Sequence, residues 1–210
     1  MCGLVGVVGN VEGPDTSLQR ALLDTIQYRG LDSAGTFCSE NRAFIASSRL
    51  SILDIAGSDQ PMVSPDGRLV LVFNGAIYNY LELREQYSDL GYQFHSSGDT
   101  EVLLAGYQLK GKSMLADLNG MFAIAIWDSL KGTLLLARDR LGEKPLYWSR
   151  IGEGFMFSSS LRSFAINPGF AAAISPAAQR LLDLTRLQDQ PVLAAILEQA
   201  RQYAGSSGHP

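Results

Sequence analysis

The sequence predicts an α+β fold in which two stacked sheets carry helices on their outer faces. Seven short segments rich in β-branched and aromatic residues occur within the first 165 residues, and only three helical segments interrupt them. Many strands with few interposed helices favour this class over an alternating parallel one. Strand signals stop after residue 165, so we expect a domain over residues 2–165 followed by a helical tail over residues 166–210.

The chain opens with an apolar, β-branched run over residues 2–8, which predicts a buried strand almost at the terminus. Asp15 is then placed to cap a helix that continues to about Tyr28. Leu18, Leu22 and Ile26 lie on one face of this helix, which is the face expected to pack on the sheet.

Six further strands and two helices are predicted from alternation and from turn residues. The strands cover residues 43–47, 69–73, 122–127, 133–137, 146–149 and 155–158, and the helices cover residues 80–90 and 100–110. Gly91 suits the end of the first of these helices, and Asp99 is placed to cap the second.

The predicted tail, residues 166–210, shows helix signals and no strand signals. Ser175 followed by Pro176 predicts a helix start, with proline at the first helical position, and this helix should continue to about Leu187. A second helix is expected from Pro191 to about Tyr203. Glycine, serine and proline dominate residues 205–210, so we expect a disordered end.

Composition excludes several function classes. The 210 residues are 46% hydrophobic and 18% charged with a net charge of −4, so a core is available and no basic surface for nucleic acid is expected. No apolar run is long enough for a membrane span, and the start lacks the basic residues of a secretory signal, which indicates a cytoplasmic protein. Two cysteines and two histidines without ligand spacing predict no metal, and no cofactor is expected.

Cys2 directly follows the initiator methionine. Removal of Met1 would place a thiol and an α-amine on one residue, and an amine with a pKa of about 7.7–8 can take the thiol proton. One residue could then supply both nucleophile and base. The alternative is that Cys2 is a small core residue that opens a buried strand.

Eight motifs follow one another along the chain. In order they are Met-Cys-Gly-Leu-Val-Gly at 1–6, Arg-Gly-Leu-Asp-Ser at 29–33, Arg-Leu-Ser-Ile-Leu-Asp at 49–54 with Asp-Gln-Pro-Met at 59–62, Phe-Asn-Gly-Ala-Ile-Tyr-Asn-Tyr at 73–80, Ser-Gly-Asp-Thr-Glu-Val at 97–102, Leu-Asn-Gly-Met-Phe-Ala at 118–123, Ala-Arg-Asp-Arg-Leu-Gly-Glu-Lys-Pro-Leu-Tyr at 137–147 and Phe-Ser-Ser at 157–159. This series resembles the class II, N-terminal-nucleophile glutamine amidotransferases of the asparagine-synthetase type. The resemblance covers about residues 2–165.

The resemblance implies a four-layer αββα sandwich of two antiparallel sheets, with Cys2 facing the cleft. It also implies hydrolysis of the glutamine side-chain amide through a Cys2 thioester. The Asn74 side chain and the Gly75 backbone N–H are similar to the family's oxyanion hole, which stabilises the tetrahedral intermediate. Taken alone, Asn-Gly would instead indicate a tight hairpin turn.

The resemblance assigns substrate binding to a second group of residues. Arg49 has the planar fork that grips a carboxylate, and Asp99 offers a negative charge to the substrate's α-ammonium. A surface arginine and a helix N-cap are their ordinary alternatives. The remaining members of the expected pocket are Leu50, Ile52, Leu53, Ala76 and Gly98. For Leu50, Ile52 and Leu53, core packing is an equally good account. Arg138, Asp139 and Lys144 are interpreted as a structural turn.

Two departures from the family pattern bear on function. Ala76 stands where asparagine synthetases have a glutamate that helps to bind the substrate ammonium, so weaker glutamine binding or a glutamine derivative as substrate is expected. The chain also shows no Ser-Gly-Gly-x-Asp-Ser loop, Walker loop or dinucleotide fingerprint. We therefore expect ammonia to pass to a separate ATP-dependent synthetase or ligase subunit, or to another acceptor. The competing hypothesis is a weakly active relic that docks on a synthetase.

Overall fold

The computed structural model describes residues 1–9, 14–39, 42–50 and 57–171. A first compact unit spans Met1–Asn167, and a second unit comprises Pro168–Pro210. The two predicted tail helices lie outside the described residues, so the division into a 2–165 domain and a helical tail stays a prediction. None of the helices in the described ranges is long and apolar enough to cross a membrane.

The described strands are β1 (Gly3–Gly9), β2 (Ser33–Ser39), β3 (Ala43–Arg49), β4 (Met62–Val63), β5 (Leu69–Ile77), β6 (Gly120–Asp128), β7 (Thr133–Arg138), β8 (Tyr147–Ile151) and β9 (Gly154–Ser158). The helices are α1 (Thr16–Gln27), α2 (Tyr80–Asp89), α3 (Asp99–Lys110) and α4 (Arg162–Ala165), and a 3-10 helix (Gly111–Ala116) follows α3. The Asp15 side chain caps α1 by accepting a hydrogen bond from the Leu18 N–H at 2.8 Å, as predicted.

Two antiparallel sheets stack face to face. The first has the strand order β2-β3-β1-β9-β8 and the second the order β4-β5-β6-β7. Leu4, Ile45, Val72, Ala125 and Phe157 belong to the core between the sheets. Helix α1 packs on β1 and β3, whereas α2 and α3 share a second core with the outer face of β5 and β6. The α+β prediction with two antiparallel sheets is confirmed.

The structure corrects two local predictions. Strand β5 continues past residue 73, so Asn74 and Gly75 lie within a strand paired to β6, and the hairpin alternative is wrong. The N-cap of α3 is Gly98, because Asp99 is already helical and its carboxylate accepts a hydrogen bond from the Ile77 N–H. Strands β2 and β4 were not predicted: β2 has mixed exposure and β4 has only two residues.

In β1, β3, β5 and β6, every second residue faces the space between the sheets. At one shared end of these strands, the inward-facing residues are no longer part of the apolar core. Because successive side chains of a strand point to opposite faces, a row of inward residues repeats every second position. The apolar rows contain Leu4, Ile45, Val72 and Ala123. Two or four positions further along the same rows stand Cys2, Arg49, Asn74, Ala76 and Met121.

Candidate active site

A cavity of about 220 Å³ opens at this end of the inter-sheet core. Its described lining residues are Met1, Cys2, Arg49, Leu50, Gln60, Phe73, Asn74, Gly75, Ala76, Asp99, Thr100, Met121 and Lys144. The structure thus brings together seven of the residues proposed from the sequence. Ile52 and Leu53 lie outside the described residues. Gly98 is not among the described lining residues and serves as the N-cap of α3.

Cys2 is held by contacts from three separate segments. Its backbone N–H donates to Asn74 Oδ1 at 3.0 Å, and its Sγ lies 3.8 Å from the Leu50 carbonyl oxygen. The Arg29 Nε donates to the Cys2 carbonyl oxygen at 3.2 Å. Arg29 belongs to one of the sequence motifs but was not predicted as a site residue, because nothing local to the motif indicates that it reaches the terminus.

The Asn74 amide is buried, with 1% of the residue exposed. Its Oδ1 accepts from Cys2, whereas Nδ2 has no hydrogen-bond partner among the described residues. A buried unmet donor costs about 1–3 kcal/mol, so such groups are rare unless a ligand completes them. Asn74 therefore presents a fixed donor at the cavity beside the thiol, as an oxyanion requires.

Gly75 allows a close approach between β5 and β6. A Cβ at this position would collide with the Met121 carbonyl oxygen and would lie 2.8 Å from the Phe122 Cα. Any side chain would push the strands apart at the point where Asn74 is positioned. Glycine at position 75 therefore has a packing reason that holds whether or not its N–H binds a substrate.

Arg49 and Asp99 place opposite charges at the cavity. Arg49 is 4% exposed, and its Nη1 lies 3.4 Å from Asp59 Oδ1, but Asp59 is largely in solvent and contributes little. Burial raises the pKa of Asp99, and hydrogen bonds from backbone N–H groups together with the Arg49 charge oppose that rise. A cationic group entering the cavity would further favour the ionised carboxylate.

Besides Met1, sequence reasoning missed five of the described lining residues, Gln60, Phe73, Thr100, Met121 and Lys144. Gln60 Oε1 accepts from the Phe73 N–H at 2.7 Å. Lys144 was assigned with Asp139 to a structural turn. Asp139 indeed accepts hydrogen bonds from the backbone N–H of Lys144 and of Phe122, but Lys144 also reaches the cavity wall. Met121 could have been found from the inward row of β6, two residues before Ala123.

Comparison with protein-family models matches residues 1–205 to the glutamine amidotransferase domain. The chain is 40% identical over 170 residues to asparagine synthetase [glutamine-hydrolyzing] 1 of Bacillus subtilis (strain 168), covering 79% of this chain and 27% of that protein. It is 40% identical over 163 residues to asparagine synthetase B [glutamine-hydrolyzing] of Escherichia coli (strain K12), covering 76% and 29%. The chain thus spans about a quarter of the length of these curated relatives.

Among solved structures, the glutamine phosphoribosylpyrophosphate amidotransferase of Bacillus subtilis superposes with a TM-score of 0.66 at 23% identity, over 79% of this chain and 43% of that one. This likeness supports the four-layer N-terminal-nucleophile hydrolase fold. The family model, which extends over nearly the whole sequence, and the 40% identity to glutamine-hydrolysing synthetases confirm the resemblance inferred from the eight motifs. The chain therefore belongs to the glutamine amidotransferase domain family.

Proposed function

We propose that Cys2 of this domain attacks the side-chain amide of L-glutamine, releases ammonia and leaves a thioester that water then converts to glutamate. The observation that carries the proposal is the Asn74 amide, which contacts Cys2 through Oδ1 and has a buried Nδ2 without a hydrogen-bond partner in the described part of the chain. The alternative of Cys2 as a core residue does not account for an unmet donor beside it.

The mature chain begins at Cys2 in this proposal. With Met1 removed, the nitrogen that now donates to Asn74 Oδ1 becomes the α-amine. One N–H stays bound to Asn74, and the nitrogen lone pair is left to take the thiol proton. The amine then returns the proton to the departing ammonia, so one group serves as base and as acid.

The Asn74 Nδ2 and the Gly75 N–H would stabilise the negative charge of the tetrahedral intermediate by donating hydrogen bonds to it. Both belong to β5, a strand paired along its whole length with β6, so the donors are placed before substrate arrives. Fixed donors of this kind need no reorganisation as the charge develops.

Substrate orientation falls to Arg49 and Asp99, which would bind the α-carboxylate and the α-ammonium of glutamine. Leu50, Ile52 and Leu53 would contact the aliphatic stem, and Gly98 would start the helix that carries Asp99.

Replacing Arg49 with lysine should raise KM for glutamine by about 10- to 100-fold, because an ammonium point charge cannot reproduce the two parallel hydrogen bonds of a guanidinium. Steady-state kinetics measures this effect. Arg20→Lys, on an exposed residue of α1, is the matched control and should leave KM unchanged. An Arg49→Lys enzyme with unaltered KM would remove Arg49 from the substrate site.

Ala76 supports a second candidate, a glutamine derivative as the amide donor. Asp99 is the only carboxylate among the described lining residues, so a single acidic group is available there to the substrate ammonium. An acyl donor with a masked or absent amine would match this lining.

The substitution Ala76→Glu separates the two candidates. If glutamine is the substrate, a second carboxylate should lower its KM by about tenfold, since a hydrogen bond to a charged group contributes about 1.5–3 kcal/mol. Unchanged or weaker glutamine binding would favour a derivative. Ala76→Gln, which adds similar bulk without charge, controls for the filling of the cavity.

The ammonia is expected to reach a synthetase-type partner, and we infer a separate ATP-dependent synthetase or ligase subunit as that partner. The support is that the relatives matched by this chain are named glutamine-hydrolysing asparagine synthetases. We place the reaction in the cytoplasm, where a free thiol nucleophile persists.

Mass spectrometry of the purified chain with an electrophilic glutamine analogue tests the proposal. We expect a chain without Met1 that carries one covalent adduct, mapped by fragmentation to Cys2. An adduct absent from Cys2, together with no release of ammonia from glutamine, would support the weakly active docking module instead.

A further inference from the structure

We propose that Gln60 is a positioning residue that keeps the Asn74 and Gly75 donors in place through the backbone of Phe73. The inference rests on the proposed function, since it concerns the same donors. Gln60 contributes to the cavity wall, and its side chain bonds to the residue directly before Asn74.

The two edges of β5 are supported unequally. On one side β6 pairs with every residue from Leu69 to Ile77. On the other side β4 pairs only with Val70 and Leu71. The stretch of β5 that carries the oxyanion donors therefore lies beyond the end of its β4 partner.

Gln60 supplies the next contact to this edge of β5, just beyond the end of β4. The register of the ladder pairs Met62 with Leu71, so a continued ladder would place residue 60 opposite Phe73. At that position the Gln60 side-chain carbonyl accepts the Phe73 N–H at 2.7 Å. A side-chain amide thus substitutes for a backbone carbonyl and gives β5 a second edge contact next to Asn74.

Tight packing fixes the base of this side chain. Gln60 is 8% exposed, and a Cβ added at Gly35 of β2 would collide with the Gln60 carbonyl oxygen and lie 3.0 Å from Pro61 Cδ. The Gln60 backbone therefore fits closely between β2 of the first sheet and β5 of the second. Because its backbone is held in this way, the Gln60 side chain leaves little freedom of movement to the part of β5 that it contacts.

The expected consequence is kinetic. Without the Gln60 carbonyl, the buried Phe73 N–H would lack an acceptor, and the strand would shift toward another one. A displacement of about 1 Å at a reacting group can cost about 100-fold in rate. Because Asn74 and Gly75 act on the intermediate, kcat should fall while KM for glutamine, set by Arg49 and Asp99, stays near the wild-type value.

Three substitutions and a matched control test this inference. Gln60→Met keeps the shape and removes the acceptor, whereas Gln60→Asn keeps an amide but withdraws it by one methylene. Gln60→Glu keeps an acceptor of the same reach. The control is Ser64→Ala, because the buried Ser64 Oγ accepts the Leu69 N–H of the same strand at 2.8 Å, at the end distant from the cavity.

We measure glutamine kcat, KM and thermal unfolding for each variant. Gln60→Met and Gln60→Asn are expected to lower kcat by about 10- to 100-fold, with KM within about threefold, and Gln60→Glu should restore most of kcat. Ser64→Ala should lower thermal stability and leave kcat unchanged. Equal kcat losses in Ser64→Ala and Gln60→Met, a normal kcat in Gln60→Asn, or no rescue by Gln60→Glu would overturn the positioning role. A wild-type chain without glutaminase activity would instead refute the proposed function, and this inference with it.

Discussion

Replacing Cys2 with alanine is expected to lower glutamine hydrolysis by about 10³-fold or more, because the variant keeps the α-amine and the oxyanion donors but has no nucleophile to form the thioester. Cys2→Ser should also be strongly impaired, since a hydroxyl gives up its proton far less readily than a thiol. Ammonia release coupled to a reporter enzyme measures the rate. Thermal unfolding should change little, because Cys2 is only half-buried.

Cys38→Ala is the matched control. Cys38 of β2 pairs with Phe44 of β3, whereas Arg49 of β3 pairs with Ser33 at the opposite end of that ladder. Five residues of strand separate the two positions, or roughly 16 Å. Burial also raises the pKa of the Cys38 thiol, so less thiolate is available there. Equal losses of activity from Cys38→Ala and Cys2→Ala would point to a shared structural effect and contradict the assignment of the nucleophile.

An uncleaved residue in front of Cys2 is expected to reduce glutaminase activity by about 10²- to 10⁴-fold, the usual contribution of a positioned general base. An amide nitrogen has no available lone pair, so it cannot take the thiol proton even though it still donates to Asn74 Oδ1. The comparison uses one tagged protein before and after a protease exposes Cys2 as the first residue. Cleavage should restore activity, and full activity in the tagged protein would refute the α-amine as base.

Sequence alone could predict the fold class and, through the family resemblance, the cavity residues Cys2, Arg49, Asn74 and Asp99. Strand periodicity and the Asp15 cap are local signals, and the structure reproduces them. Asn74 and Gly75 show where local reasoning ends. The dipeptide favours a turn when read alone, but pairing with β6 keeps it extended, because each residue there gains a ladder partner from a strand more than 40 positions away.

The contacts of Gln60 and Arg29 could not be predicted for a related reason. Arg29 reaches the carbonyl of Cys2 across 27 positions, and Gln60 bonds to Phe73 across 13. Both contacts join residues of different segments, so no pattern within one segment indicates them. The N-cap predicted at Asp99 was wrong for a similar reason, since Asp99 is already helical and its carboxylate accepts the Ile77 N–H of a neighbouring strand.

The position of β1 also sets the point during synthesis at which the first sheet can be completed. Strand β1 lies between β3 and β9, and β9 is the last of the described strands to leave the ribosome. At 5–20 residues per second, the roughly 150 residues between β1 and β9 take about 7 to 30 s to make. During that time β1 has only one of its two strand partners, β3, and its other edge is open. The sheet that begins directly after Cys2 is therefore completed only when β9 pairs with β1.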